Sequence, residues 1–292
     1  MLNKNVIFIR FYSKRLTPLS VQCHFVNRVD DQTSAIVMEY SAYMKDHVKL
    51  LANLLPPDLA FLINIYETHI NPGMFSDKRE IFDSKIGINK NSKCYLNSEV
   101  VQSLKISCPE NWSGFNVEKP EVFNHSLPPT TRTSELYTVG KIVSDNMNIP
   151  FSSFLEAFKT FVPKENRILP CLINNEIIYF HGETSGGSRL VSWFETHNDR
   201  KPWFFVEELN FADEDPNGFS VLLEKVFSSE KTFVLDIPIN RDRLHVKANF
   251  IKQEDFLSKL RNEAKGYIVY HKALATRNKT FSAFNYLKNL LS

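Results

Sequence analysis

ILPCLINNEIIYFH, residues 168–181, is the stretch on which the fold reading turns. Two runs of β-favouring residues, 168–173 and 176–181, flank Asn174-Asn175. Asparagine tolerates the left-handed backbone that a two-residue turn requires, so the pair predicts a β-hairpin. The β-rich texture continues downstream, with further strands expected at 190–194, 203–209, 232–237, 244–250 and 267–271. Helical spacing returns between them at 218–227 and 255–264, and a last helix is expected over 280–291 through Phe281, Phe284, Leu287 and Leu291.

Upstream, the pattern reads as helical. Ile36, Val37, Tyr40, Tyr43, Met44, Val48, Leu51 and Leu55 recur at helical spacing behind a cap at Thr33 or Ser34. Pro56-Pro57 stops that helix, since neither proline donates a backbone N–H. A second helix is expected over 58–69, with Leu59, Leu62, Ile63 and Tyr66 on one face, and Asn71-Pro72-Gly73 ends it. Residues 74–133 are poorly patterned and carry Pro109, Pro120 and Pro128-Pro129, which reads as an irregular connector. Ser134 opens a further helix to Asn146, and Ser153 with Glu156 forms a capping-box pattern for the next.

These readings give an α+β fold: an N-terminal helical part (a helix hairpin plus further helices), then a C-terminal mixed or antiparallel sheet with helices. The organisation expected is a leader at 1–12, a helical hairpin region at 13–73, the connector at 74–133, and helices leading into an α+β domain at 134–292.

The leader is the most informative functional stretch. MLNKNVIFIRFYSK carries Lys4, Arg10 and Lys14, no acid, and an apolar body at Val6–Ile9. A basic, acid-poor, amphipathic start is the signature of a mitochondrial transit peptide. Arg10-Phe11-Tyr12-Ser13 resembles the matrix-processing pattern of an arginine, any residue, an aromatic or leucine, then a serine, which implies a mature start near Ser13. The competing reading of the same residues is a β-strand in the folded protein. On the transit reading the protein works in the mitochondrial matrix.

Composition bounds the rest. Of the 292 residues 43% are apolar and 23% charged, so the chain is globular, and 24 phenylalanines supply large buried area. No run of apolar residues has the length of a membrane span. From Ser13 onward basic and acidic residues balance at 33 each, which argues against a general nucleic-acid binder. Cys23, Cys94, Cys108 and Cys171 are widely spaced, exclude the common zinc ribbons and read as buried reduced thiols.

No catalytic motif emerges, and no cofactor is called for. Gly186, Gly187 and Arg189 lie in a loop that could offer backbone N–H groups and a charge to a phosphate. The loop fits neither standard phosphate-binding pattern, and its ordinary reading is a long hairpin connection. His181, Glu183, His197 and Asp199 lack the spacing of a metal site, and Glu207, Glu208 and Asp213–Asp215 read as a solvated acidic edge. Charge is polarised: residues 201–240 hold three lysines against eight acids, and residues 241–292 hold eleven lysines and arginines against four acids. The basic end is interleaved with aromatics, so Lys272, Arg277, Lys279 and Lys288 are the candidate RNA contacts. The alternative there is a terminal amphipathic helix with core aromatics and solvated lysines.

The function expected is a non-catalytic mitochondrial matrix protein supporting mitochondrial gene expression, its partner mitochondrial RNA or the ribosome. One alternative is an assembly factor or scaffold for a respiratory complex, docking a protein through the N-terminal helices. A second is an enzyme with a site near Gly182–Arg189.

Overall fold

The computed structural model describes residues 8–11, 17–40, 42, 44–66, 70, 73–88, 91–128, 130–163, 169–173, 175–181, 203–209, 211, 220–264 and 268–272. The chain divides into two compact units, Met1–Ile65 with His69–Phe115, and Tyr66–Thr68 with Asn116–Ser292.

In the first unit, β1 (Phe8–Phe11) runs parallel to β2 (Ala35–Met38), with Phe8 opposite Ala35. Between them lies α1 (Pro18–Arg28), opened by a capping box in which Thr17 and Ser20 satisfy each other's backbone N–H. Next come α2 (His47–Leu54), β3 (Leu59–Leu62), α3 (Lys78–Lys85), β4 (Lys93–Asn97), α4 (Ser98–Leu104) and β5 (Trp112–Phe115). The strands β3, β4 and β5 form a wholly parallel sheet in that order. Its core packs Ala60, Leu62, Cys94, Leu96 and Trp112 against Phe82 of α3 and Val100 of α4.

The second unit opens with α5 (Thr131–Asn146) and α6 (Phe151–Thr160). It continues through β6 (Leu169–Ile173), β7 (Glu176–His181), β8 (Trp203–Glu208), α7 (Ser220–Phe227), β9 (Thr232–Leu235), α8 (Pro238–Arg243), β10 (Phe250–Ile251), α9 (Gln253–Ser258) with a π-helical turn at Lys259–Glu263, and β11 (Ile268–Lys272). The sheet order is β10-β9-β8-β11-β7-β6. Every described pairing is parallel except β6 with β7. The last strand is thus inserted at the centre of the sheet. One face buries Ile178, Phe205, Phe233, Ile268 and Tyr270 beneath Phe256, Leu260 and Ala264. The other buries Val206 and Val234 against Leu223, Val226 and Phe227 of α7 and Leu244.

The expected fold class is corrected. The N-terminal part is a pair of parallel sheets with short helices, and the C-terminal sheet is chiefly parallel. The long helix expected from residue 33 to 55 is β2, a loop and the eight-residue α2. Asp46, with φ of 61°, takes a left-handed conformation that no continuous helix tolerates. The second expected helix is β3 in its first half. Leu59 and Leu62 fit a helical face, but Ala60 and Leu62 are the buried pair, a period of two. Pairing of Leu62 with Leu96 rewards that register, and this partner is too distant in sequence to be seen locally. Residues 74–133, expected as a connector with one short helix capped by Asn97 or Ser98 and ending at Leu104, carry that helix as α4 behind Asn97, and also α3, β4 and β5.

The hairpin forms where Asn174-Asn175 placed it, with Ile173 opposite Glu176 and Asn175 at φ 64°. Helix α5 starts at Thr131 behind Thr130 instead of at Ser134, and α6 starts behind Pro150 without a side-chain cap. The strand expected at 244–250 is reduced to Phe250–Ile251, and α8 was not foreseen. The strand at 190–194 and the helix at 280–291 lie outside the described residues. All four cysteines are unbridged; Cys94 is buried, whereas Cys23 and Cys108 are exposed, unlike the buried thiols expected.

Candidate functional site at the carboxyl edge of the main sheet

In an open parallel sheet the ligand side lies beyond the carboxyl ends of the strands. Here β8 ends in Glu207-Glu208, β9 is followed by Asp236, and β11 ends in Tyr270, His271 and Lys272. The register sets His271 beside Val206 on one flank and His181 on the other.

Asn240 organises this edge from α8. Fully buried, it accepts from the Leu209 N–H at 2.9 Å and donates to the carbonyls of Glu207 at 2.9 Å and Leu235 at 2.8 Å. One amide therefore ties the ends of β8 and β9 together and satisfies backbone groups that the ladder leaves over. Arg243 of the same helix donates to the Leu209 carbonyl and lies 3.9 Å from Glu208. Arg241 makes two bonds to Asp236, at 2.5 and 2.9 Å, and its guanidinium sits 4.7 Å from the Phe250 ring centre. The hydrogen bonds from Arg241 hold the Asp236 carboxyl below its ordinary pKa.

The Tyr270 hydroxyl donates to the Glu207 carboxylate. Its ring is set by edge packing against Phe256 at 5.9 Å, which in turn packs edge-on to Phe205 at 5.4 Å. Burial first, then the Glu207 charge, raises the phenol's pKa, so it stays a donor. Burial pushes the His271 imidazole down to about 4, so it is neutral at physiological pH. A carboxylate aimed by a buried phenol can receive a proton or hold a cationic group. Among the described residues no three His, Cys, Asp or Glu side chains gather as a metal site.

The second feature of the unit is the start of α5. Thr130 accepts from the Thr133 N–H at 3.2 Å through its side chain, and from the Ser134 N–H at 3.1 Å through its carbonyl. The Thr130 N–H and the Thr133 hydroxyl both donate to the Pro128 carbonyl, at 2.8 and 2.5 Å. Arg132 donates at 2.6 Å to each oxygen of the buried Glu135 carboxylate and stacks 4.9 Å from the Tyr66 ring. The Tyr179 hydroxyl of β7 donates to the Leu127 carbonyl at 3.3 Å.

No protein-family model matches the sequence, and no curated protein is significantly similar to it. Solved structures do match. MurF ligase from Thermotoga maritima, in complex with ADP, superposes with a TM-score of 0.69 at 13% identity, over 97% of this chain and 74% of that one. MurF from Acinetobacter baumannii gives 0.65 at 11% identity, over 98% and 70% of the two chains. A pseudomurein peptide ligase type C from Methanothermus fervidus gives 0.54 at 11% identity, over 82% and 65%. The fold is therefore that of the Mur ligases, mixed α/β with parallel sheets.

This overturns the functional expectation. A non-catalytic factor of mitochondrial gene expression, bound to RNA or the ribosome, is replaced by a fold whose solved representatives are ligases, which are enzymes. The assembly-factor alternative loses its basis as well, since the helix pair meant to dock a partner is not there. Of the residues expected to touch RNA, Lys272 ends β11, in register with Glu208; Arg277, Lys279 and Lys288 lie outside the described residues. Gly186, Gly187 and Arg189 of the expected phosphate loop lie outside them too, as do Glu183, His197, Asp199, Tyr12 and Ser13. Arg10 belongs to β1.

Sequence alone gave no role to Asn240 or Arg243, counted Tyr270 only among the aromatics of the basic end, and read Glu207 and Glu208 as a solvated edge. Against G-x-x-x-x-G-K-[ST], the segment Ser126–Thr133 matches only at Thr133; Ser126, Thr131 and Arg132 stand at the two glycines and the lysine. The residues do not fit a phosphate cradle of that kind: Pro128 and Pro129 carry no N–H, and no glycine lies between Gly114 and Gly140.

Proposed function

We propose that the chain is a ligase of the Mur type, forming an amide bond between an amine and a carboxylate of a peptide-like substrate, with ATP phosphorylating the carboxylate so that its oxygen leaves as phosphate when the amine attacks. The observation that carries this is the likeness to MurF over 97% of the chain, in a structure solved with ADP. The substrate's reacting groups are taken at the carboxyl edge of the main sheet. Glu207, aimed by Tyr270, receives the proton of the attacking amine, and Asn240 keeps the strand ends that carry Glu207 and Asp236 in place. Nothing is assigned to a nucleotide at α5, whose start does not fit one.

The test uses the substrates in the name of another matching structure, a UDP-N-acetylmuramoyl peptide and D-alanyl-D-alanine. The full chain is incubated with both, ATP and magnesium, and product mass and phosphate release are measured. Amide product that falls by about a hundredfold in Glu207→Gln supports the reading, a loss in the range for removing a general base. A folded protein that binds neither substrate and forms no product overturns it. The start of α5 favours a second reading, in which the ligase fold binds its peptide substrate without turning over a nucleotide. Substrate binding with no phosphate release selects that one.

A further inference from the structure

We infer that the start of α5 holds no nucleotide phosphate in this chain and serves as a structural cap, with Arg132 as its clamp. The inference rests on the ligase reading only in that the fold leads one to look for a nucleotide. It is carried by how the polar groups at this helix start are spent.

An anion at a helix start needs backbone N–H groups left over by the helix and a close approach to them. At α5 the Thr133 N–H is taken by Thr130's own side chain, and the Ser134 N–H makes the first ordinary helical bond, to the Thr130 carbonyl. The preceding N–H, that of Thr130, points back to the Pro128 carbonyl. The two hydroxyls that could replace missing N–H groups are likewise turned inward, Thr133 onto Pro128 and Thr130 onto Thr133. Leu127 is buried against Tyr137 and Phe158, and its carbonyl accepts from the Tyr179 hydroxyl. Cβ atoms at Ser126 and Thr131 stand where the loop pattern has glycine.

Arg132 stands where the pattern has lysine, yet both oxygens of Glu135 accept from it and Tyr66 covers it. The Glu135 side chain is 5% exposed. Turning Arg132 toward a phosphate would leave that carboxylate buried without its cation, which is strongly unfavourable. Arg132 therefore acts as a positioning residue for α5, not as a phosphate ligand.

The experiment titrates the full-length protein with Mg·ADP and Mg·ATP by calorimetry, alongside Arg132→Gln, Thr130→Gly and the triple variant Ser126→Gly/Thr131→Gly/Arg132→Lys. Melting temperature is recorded for each. The inference expects Thr130→Gly and Arg132→Gln to change nucleotide affinity by less than twofold while Arg132→Gln lowers the melting temperature. Tight binding by the wild type that weakens tenfold or more in Thr130→Gly, with the fold intact, overturns it. Absence of nucleotide binding in the wild type upholds the inference and removes the nucleotide-driven form of the ligase reading. Binding that appears only in the triple variant upholds the inference most directly, since it recreates what the native residues lack.

Discussion

Asn240 is a single side chain on which two strand ends depend. It makes three hydrogen bonds to backbone groups of Leu209, Glu207 and Leu235, all away from water. Asn240→Ala leaves those groups unsatisfied, and we expect a loss of about 3 kcal/mol in urea unfolding. Asn240→Asp keeps the acceptor but not the donors and is expected to lose a similar amount. His271 is the other residue with a measurable signature. Its folded-state pKa is depressed to about 4 from the ordinary 6.5, so the unfolded chain binds the proton first as pH falls. The stability this residue contributes is present above pH 6.5 and lost as pH drops toward 4. That difference corresponds to roughly 3 kcal/mol. Between pH 7 and pH 4 the wild type should therefore lose about that much more stability than His271→Gln, by chemical denaturation at each pH. Equal losses in both proteins would show that His271 does not titrate this way.

Helices α5 and α6 meet at one small residue. A Cβ placed on Gly140 would lie 2.3 Å from Cε2 of Phe154. The Phe154 ring cannot swing aside freely, because it packs on Tyr137 at 5.5 Å, Phe158 at 6.0 Å and Phe151 at 5.9 Å. Alanine would gain up to about 1 kcal/mol of helix propensity, against an overpacking cost of roughly 1 to 3 kcal/mol. We expect Gly140→Ala to destabilise, and Gly140→Ala with Phe154→Leu to recover most of the loss. If the single variant raises the melting temperature, the packing account of this helix pair fails. The elements read correctly from the sequence are those with local punctuation. Pro56-Pro57 stops α2, Asn174-Asn175 turns the hairpin, and β8, β9 and β11 are short runs of β-branched and aromatic residues. The elements misread are those whose local pattern fits two periods at once, as Leu59 and Leu62 do.

At the scale of the whole chain, consecutive burial along β8, where Phe204, Phe205 and Val206 are all inside, marks a strand covered on both faces. Such a run fits a strand buried on both faces, but it does not say which way the neighbouring strands point. We propose that the protein is imported into mitochondria and that processing leaves a mature start at Ser13. The cut would remove β1, one strand of a two-stranded sheet, and leave the three- and six-stranded sheets whole. Mass spectrometry of protein recovered from isolated mitochondria should give that N-terminus. Recovery of a chain beginning at Met1 would instead support the strand reading of residues 8–11.

The sequence by itself determined a globular chain with no membrane-length apolar run, a hairpin at residues 173–176, and several strand and helix positions in its second half. Each is a matter of neighbouring residues: turn chemistry, proline stops, local charge. Only the tertiary structure decided that the sheets are parallel, that the last strand enters the middle, and that Glu207 meets Tyr270 across 63 positions. Parallel pairing joins strands through long crossovers, so the partners that reward a strand over a helix lie far along the chain. No local periodicity records them.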